Sequence, residues 1–228
     1  MVWREPCYKE ILVLNSTPST KKKKGYHHGN LRQSLVDTAV ELISERNHCE
    51  FTLRELAKKL DVTHAATYHH FRDKDALLSV VAQQGYISLN QELDALDHDE
   101  PMTLLCAFFL TYLNFALNHQ SHYRVMFDHR LNARVLMSEL QAEVMRTHSL
   151  MYDLVQQCQQ AELLNADVST DVLCTLYWAT FRGLAINLVN DPHSTLLPPE
   201  EHLHTFLSLI FSGSATLVGL DVFSDISI

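Results

Sequence analysis

"TLRELAKKLDVTHAATYHHFRDKDALL", Thr52 to Leu78, is the stretch on which the reading of this chain turns. Its two ends carry the apolar spacing of amphipathic helices, whereas "THAATYHHF", Thr63 to Phe71, sets small, hydroxylated and imidazole side chains side by side. Thr52 and Glu55 form a capping box, in which the hydroxyl takes a free backbone N–H and the carboxylate reaches back. Leu53, Leu56, Ala57 and Leu60 supply the buried stripe of the helix that follows. Asp61 tolerates the left-handed backbone of a tight turn. Thr63 can then cap a short helix running to about Phe71, anchored by Val62 and Phe71. Asp73 can cap the next helix, with Leu77, Leu78, Val81 and Tyr86 on its apolar face.

Upstream, Leu31, Leu35, Val36, Ala39, Leu42 and Ile43 recur at helical spacing. That helix should stop near Glu45–Arg46, with Asn47 as a left-handed cap. Residues 1–24 read as a polar, Pro-interrupted tail ending in Lys21–Lys24. Beyond the acidic break "DALDHDEP", helical patterns continue over about 101–118, 121–129, 132–162, 169–190 and 199–219, with Pro101 as a first-turn residue. No convincing strand alternation occurs, so the fold class is all-α, with about nine helices.

The bulk numbers narrow the function. The chain has 228 residues and is 46% hydrophobic and 20% charged, ordinary composition for one or two packed domains. The longest apolar run, near Leu104–Leu110, is short of a membrane span, and no secretory signal is visible in Met1–Thr20. Cys7, Cys49, Cys106, Cys158 and Cys174 are scattered, odd in number and without a CxxC pair, which reads as reduced thiols in a cytoplasmic protein. The net charge of -9 argues at first against a polyanionic partner. Its distribution argues the other way: residues 1–82 carry 13 Lys+Arg against 10 Asp+Glu, and the rest carries 5 against 17. A basic N-terminal part joined to an acidic remainder implies division of labour.

Two short helices joined by a tight turn, the second presenting polar side chains, form a helix-turn-helix. A helix in the major groove needs outward residues small enough to approach and polar enough to read base edges. His64, Ala65 and Ala66 stand at its N-terminal end; Thr63, Tyr68, His70 and Lys74 can reach phosphates or flanking groups. A Thr/His/Tyr-rich helix is also what a plain solvated face looks like. Arg54, Lys74 and the Lys21–Lys24 run tip the balance toward DNA.

"YHHGNLRQSLVDTAVELI" (Tyr26–Ile43) followed by "FTLRELAKKLDVTHAATYHHFRDKDALL" (Phe51–Leu78) resembles the N-terminal domain of tetracycline-repressor-type (TetR family) transcription regulators. The resemblance implies that His64, Ala65 and Ala66 face bases. It also implies that Arg54, Thr63, Tyr68, His70 and Lys74 lie at the DNA surface; Thr52 and His69 join them as candidates, and the lysine run with Lys23 and Lys24, usually a solvated segment, could reach along the backbone or into an adjacent minor groove. Asn47 and Asp61 stand where the family usually has glycine, and both residue types tolerate positive φ. "YRVMFD" (Tyr123–Asp128) and "WATFRGLA" (Trp178–Ala185) resemble the C-terminal domain of a TetR subgroup marked by Trp-x-x-x-His-Gly, with Arg182 in place of the histidine.

By that resemblance, residues 1–24 are a basic tail, 25–74 a helix-turn-helix DNA-binding domain and 75–228 a helical ligand-binding and dimerisation domain, entered through the fourth helix. The resemblance implies an internal pocket for an unknown small-molecule effector, with Phe109, Tyr112, Tyr123, Phe127, Met145, His148, Tyr152, Trp178, Phe181 and Arg182 as candidates. Most such aromatic and Met side chains also serve as plain core. Arg182 is either an anion donor or, more ordinarily, the partner of an acidic neighbour. The resemblance further implies a homodimer through the last two helices, with Thr175, Leu203, Phe206, Leu207, Ile210 and Phe211 shared between interface and core. The expected activity is a ligand-responsive regulator, by family default a repressor, on a near-palindromic operator. A DNA-binding regulator governed by a protein partner is the first alternative. A metal-dependent enzyme on a helical scaffold is the second, and it finds no support in spacing. His27 and His28 are adjacent in a loop, His64 and His69 are five apart and leave one helix face, His202 and His204 diverge on a helix, and no HExxH, nucleophile elbow, P-loop or paired-Cys site exists. Neither a metal, a cofactor nor a membrane is expected.

Overall fold

The computed structural model describes residues 31–128, 131, 138–190 and 209–211. Every regular element among them is a helix: α1 (Leu31–Arg46), α2 (Leu53–Lys59), α3 (His64–His70), α4 (Lys74–Asp94), α5 (Pro101–Asn118), α6 (Gln120–Met126), α7 (Ser138–Gln160) and α8 (Thr170–Asn190). Leu209–Phe211 is helical too. The all-α class is correct. α6 is shorter than the expected 121–129, because Phe127 already leaves helical geometry at φ -112°, ψ 16°. Of the expected helix 199–219, all but Leu209–Phe211 lies outside the described residues, as do Lys23, Lys24, Leu203, Phe206 and Leu207.

Local chemistry sets the helix ends. At α2, the Thr52 hydroxyl accepts the Glu55 N–H at 3.2 Å, and the Glu55 carboxylate accepts the Thr52 N–H at 2.7 Å. At its far end Asp61 takes φ 53°. The Val62 N–H then reaches the Ala57 carbonyl at 3.0 Å and the Asp61 N–H reaches Lys58 at 3.3 Å, the paired bonds of a Schellman turn. Thr63 caps α3 through the Ala66 N–H at 3.2 Å, and Asp73 caps α4 through the Ala76 N–H at 2.7 Å. Asn47, at φ 58°, closes α1 with a bond to the Ile43 carbonyl. Glu162, at φ 59°, closes α7 in a second Schellman turn that the sequence did not suggest.

The described residues fall into two compact units. One joins 31–92 with Asn118–Arg146; the other joins Leu93–Leu117 with the residues from Thr147 onward. In the first, Leu35, Val36, Ile43, Leu56, Leu77, Leu78 and Val81 are fully buried. There α4 and α6 approach so closely at Gly85 that a Cβ would stand 2.7 Å from Met126 Sδ and 3.1 Å from His122 Cβ. Asn90, also fully buried, donates to both the backbone carbonyl of Glu143, at 3.1 Å, and its carboxylate, at 2.8 Å. This ties α4 to the start of α7.

The second unit has an aromatic core. Phe109 stacks on Phe181 at 3.9 Å, with Tyr177 edge-on at 5.9 Å. α5 and α8 are each long and apolar enough to cross a membrane by length and composition, more so than the run Leu104–Leu110 suggested. Apolar side chains around most of a helix also mark a core helix, and Leu105, Phe108, Phe109, Tyr112 and Phe115 of α5 are buried in this unit. Cys49, Cys106, Cys158 and Cys174 form no disulfide among the described residues. Burial, reinforced by the charges of Glu100 and Asp171, pushes the thiols of Cys158 and Cys174 up to about 12 and about 11, so both stay protonated and unreactive.

Thr67, on the underside of α3, is fully buried, and its hydroxyl has no hydrogen-bond partner. Thr67→Val keeps the shape and removes the orphan donor, so it should raise unfolding stability by about 1 kcal/mol, read as a higher denaturant midpoint. Two histidines predict a pH effect. Burial lowers the His148 imidazole below its ordinary value. Burial and then the charge of His119 lower His122, against an opposing pull from Asp37. The folded state therefore binds fewer protons than the unfolded one. This contribution is complete above the ordinary imidazole value of 6.5 and is lost as pH falls through it toward the depressed folded values. The denaturant midpoint should fall between pH 7.5 and 5.5, and a His122→Gln/His148→Gln variant should show a flatter profile; an unchanged slope would assign the effect to other groups.

Candidate nucleic-acid interface

Surface ion pairs link α1 and α2 of the helix-turn-helix. Arg46 at the end of α1 meets Glu55 at 3.0 Å and donates to the Glu50 carbonyl at 2.9 Å. Lys59 at the end of α2 reaches Glu45 at 2.9 Å and Glu41 at 3.7 Å on α1. The Thr52 backbone N–H, followed by Arg46, holds the Glu55 carboxyl below its ordinary range, so it stays ionised as a cap. Arg46 and Lys59 thus orient α2 on α1, and Arg54 is left exposed on α2.

α3 turns one face inward and the other to solvent. Thr67 is buried beneath it; Thr63, His64, Ala65, Tyr68 and His69 are exposed, and Ala66 and His70 are half-buried. Tyr68 is 48% exposed, an unusual position for a large ring with nothing to meet outside. His64 and Tyr68 make an edge-to-face contact with ring centroids 4.7 Å apart, and His69 and His70 a similar one at 5.3 Å. The Lys74 ammonium lies 4.6 Å from the centre of the Phe51 ring, so this residue's charge is partly engaged within the fold. Arg32 of α1 lies 5.2 Å from Phe71, which caps the C-terminal end of α3. Arg72 follows with a side chain 83% exposed, beside Asp73 at 3.3 Å. Sequence reasoning passed over Arg32 and Arg72. Arg72 follows α3 directly and could have been read there, whereas the place of Arg32 depends on a contact between α1 and the end of α3.

Thr52, Arg54 and the candidates from Thr63 to Lys74 therefore share one unit. The arrangement offers a short helix whose outer face carries imidazoles, a phenol and small side chains, flanked by cations. That is the chemistry of base-edge readout with phosphate anchoring.

The candidate effector residues divide. Phe109, Tyr112, His148, Tyr152, Trp178, Phe181 and Arg182 belong to the aromatic unit; Tyr123, Phe127 and Met145 belong to the unit of the head. Phe109, Tyr112 and Phe181 are fully buried core, whereas Trp178 is half-buried, 5.4 Å from Tyr112 and 4.8 Å from His148. Tyr123 is buried against Phe127 at 4.7 Å. Met145 and Tyr152 are surface residues, 56% and 36% exposed. Among the interface candidates, Thr175 is exposed and Ile210 half-buried. Phe211 lies on the core side, 5.0 Å from Tyr177 and 6.1 Å from Phe109. The exposed apolar residues beside Thr175 are Val172 and Leu176, one helical turn apart, which the sequence reading did not select. No group of three metal-ligating side chains occurs among the described residues.

Residues 35–81 match the family of bacterial regulatory proteins, tetR family, and residues 105–209 match the tetracyclin repressor-like C-terminal domain. The HTH-type transcriptional regulator AcrR of Shigella flexneri is 26% identical over 179 residues, 74% of this chain and 83% of AcrR. A solved structure from Rhodococcus sp. RHA1, of unknown function, superposes with a TM-score of 0.69 at 25% identity, over 85% of this chain and 100% of that one. AibR, solved in complex with isovaleryl coenzyme A and operator DNA, has the same fold at a TM-score of 0.60 and 18% identity, over 79% of this chain and 97% of its own. With a matching DNA-binding head and a matching helical C-terminal domain, the chain belongs to the tetR family of bacterial transcription regulators.

Proposed function

We propose that the protein is a cytoplasmic homodimeric repressor that binds a near-palindromic operator and leaves it when a small molecule occupies the C-terminal domain. The observation that carries this reading is the outer face of α3, where His64, Ala65 and Tyr68 stand exposed on a helix capped by Thr63 and seated on buried Thr67. His64, Ala65 and Ala66 would meet base edges. Thr52, Arg54, Thr63, Tyr68, His69, His70 and Lys74 would position the helix on the backbone, with Lys23 and Lys24 adding nonspecific attraction. Functionally, residues 25–74 are the reading head and 75–228 the sensing and dimerising part.

The exposed pair Val172 and Leu176, with Thr175 between them, supports dimerisation through α8 and the chain that follows it. Two heads about 34–36 Å apart then meet successive major grooves. For the effector, Trp178, His148 and Tyr112 are the favoured contacts, since Trp178 and His148 combine aromatic surface with a polar atom and partial exposure. AibR is a precedent for this fold carrying an acyl-coenzyme A and operator DNA together. Release would act through α4, which runs unbroken from Lys74 in the head to Asp94 and is held by the Gly85 approach and the Asn90–Glu143 bonds. An effector shifts the balance only through its different affinities for the two α4 positions.

The direct test is binding to DNA upstream of the protein's own gene across a salt series. Wild type should bind with a steep salt slope, and a His64→Ala/Tyr68→Ala variant should lose the preference for that DNA over random sequence; equal binding to both by wild type would sink the assignment of this site. Deleting residues 1–24 should weaken binding to every sequence alike and flatten the salt slope. Leu176→Glu should convert the dimer to monomer in light scattering and remove tight operator binding; a dimeric Leu176→Glu protein would move the interface elsewhere.

A further inference from the structure

Resting on the assignment of α3 as the recognition helix, we propose that Tyr68 is a positioning residue that holds the His64 imidazole for base-edge readout. Tyr68 thereby contributes to sequence discrimination, not only to affinity. Residues four apart share one helix face, and helical side chains lean toward the N-terminus, so the Tyr68 ring comes down over residue 64. The contact is edge-to-face, with centroids 4.7 Å apart and ring planes at 85°. That is a favoured geometry for aromatic pairs.

Neither ring is placed by burial. His64 is exposed and Tyr68 is 48% exposed, so their contact is not a by-product of core formation. The backbone beneath them is already fixed, because Thr63 caps the helix at the residue before His64. What remains free at His64 is its side-chain rotamer, and ordering it only on binding carries an entropic cost. A ring already set against the imidazole removes part of that cost before DNA arrives. Discrimination then concentrates on His64, because its helix neighbours Ala65 and Ala66 offer methyl groups but no side-chain hydrogen bonds.

The phenol of Tyr68 can meet a phosphate at the same time, and the two roles are separable. A phosphate contact changes affinity for every sequence alike, whereas loss of a positioned imidazole changes the ratio between sequences. The experiment starts from a duplex enriched out of a randomised pool by the wild-type full-length protein. Affinities for that duplex and for a scrambled duplex are then measured at one salt concentration. Tyr68→Phe should lower both affinities alike and keep their ratio within about twofold. Tyr68→Leu should cut the ratio about tenfold, as His64→Ala does, and the double variant should lose no more than His64→Ala alone. Thermal melting of the variants should match wild type, since both side chains lie outside the core. Equal loss on both duplexes for Tyr68→Leu, or additive losses in the double variant, would overturn the positioning role while leaving the DNA-binding assignment standing. A wild type that enriches no duplex overturns both.

Discussion

The DNA-binding head depends on a single tight turn. Two helices of seven residues cannot sustain themselves in water, because each nucleates at a cost and leaves most of its end groups unpaired. The turn at Asp61 resolves this by spending two backbone bonds on α2, through the N–H groups of Asp61 and Val62, just before Thr63 starts α3. Its condition is a left-handed residue, which Asp61 meets at φ 53° without being glycine. Asp can do so because its short side chain tolerates that region at modest cost. The direction of α3, and so what its outer face can touch, follows from that residue and from the Arg46–Glu55 and Lys59–Glu45 pairs that seat α2 on α1.

The caps and the turn were legible in the sequence because they are local; the Arg46–Glu55 and Lys59–Glu45 pairs, nine and fourteen residues apart, were not. A capping box needs only Thr52 and Glu55, a left-handed stop only Asn47 or Asp61, and a helix stripe only its own spacing. What escaped notice was set by contacts between distant residues. The Lys74 ammonium settles over Phe51, twenty-three residues away, so a cation read as facing outward is partly held by the fold. Phe211, expected to be shared between interface and core, is buried beside Tyr177, Phe109 and Phe181, contacts that only the fold could reveal. The Glu162 stop at the end of α7 failed to register because glutamate carries no preference for positive φ. For the exposed Val172 and Leu176 the signal did exist, as an apolar pair at i and i+4, but on a helix apolar on several sides it could not be told from core.

The aromatic unit shows why core and effector candidates overlap in sequence. Phe109, Phe181 and Tyr177 are equally suited to lining a ligand or to filling space, and the stacking distance of 3.9 Å between Phe109 and Phe181 shows that these two fill space with each other. Burial and polarity separate the remaining candidates. Trp178 and His148 keep a polar ring atom and partial exposure, and burial leaves His148 uncharged near neutral pH, able both to donate and to accept a hydrogen bond. A site built on them would favour a molecule with an apolar body and a small number of polar groups. Arg182 has interactions of its own within the fold, so a cation at this position does not by itself imply an anionic effector.

Net charge, finally, is a poor guide to the partner of this chain. At -9 the whole protein should be repelled by DNA, yet that sum is dominated by carboxylates beyond residue 82. At physiological ionic strength charges are screened over about 8 Å, so carboxylates farther than this from a bound phosphate contribute little to its energy. Arg54, Arg72 and Arg32 share one compact unit with α3, so the charge relevant to that helix is counted there and not over the whole chain. Electrostatic steering acts on orientation as well as on rate, so the change of sign along the sequence, rather than the total of -9, is the quantity to set against a polyanionic partner.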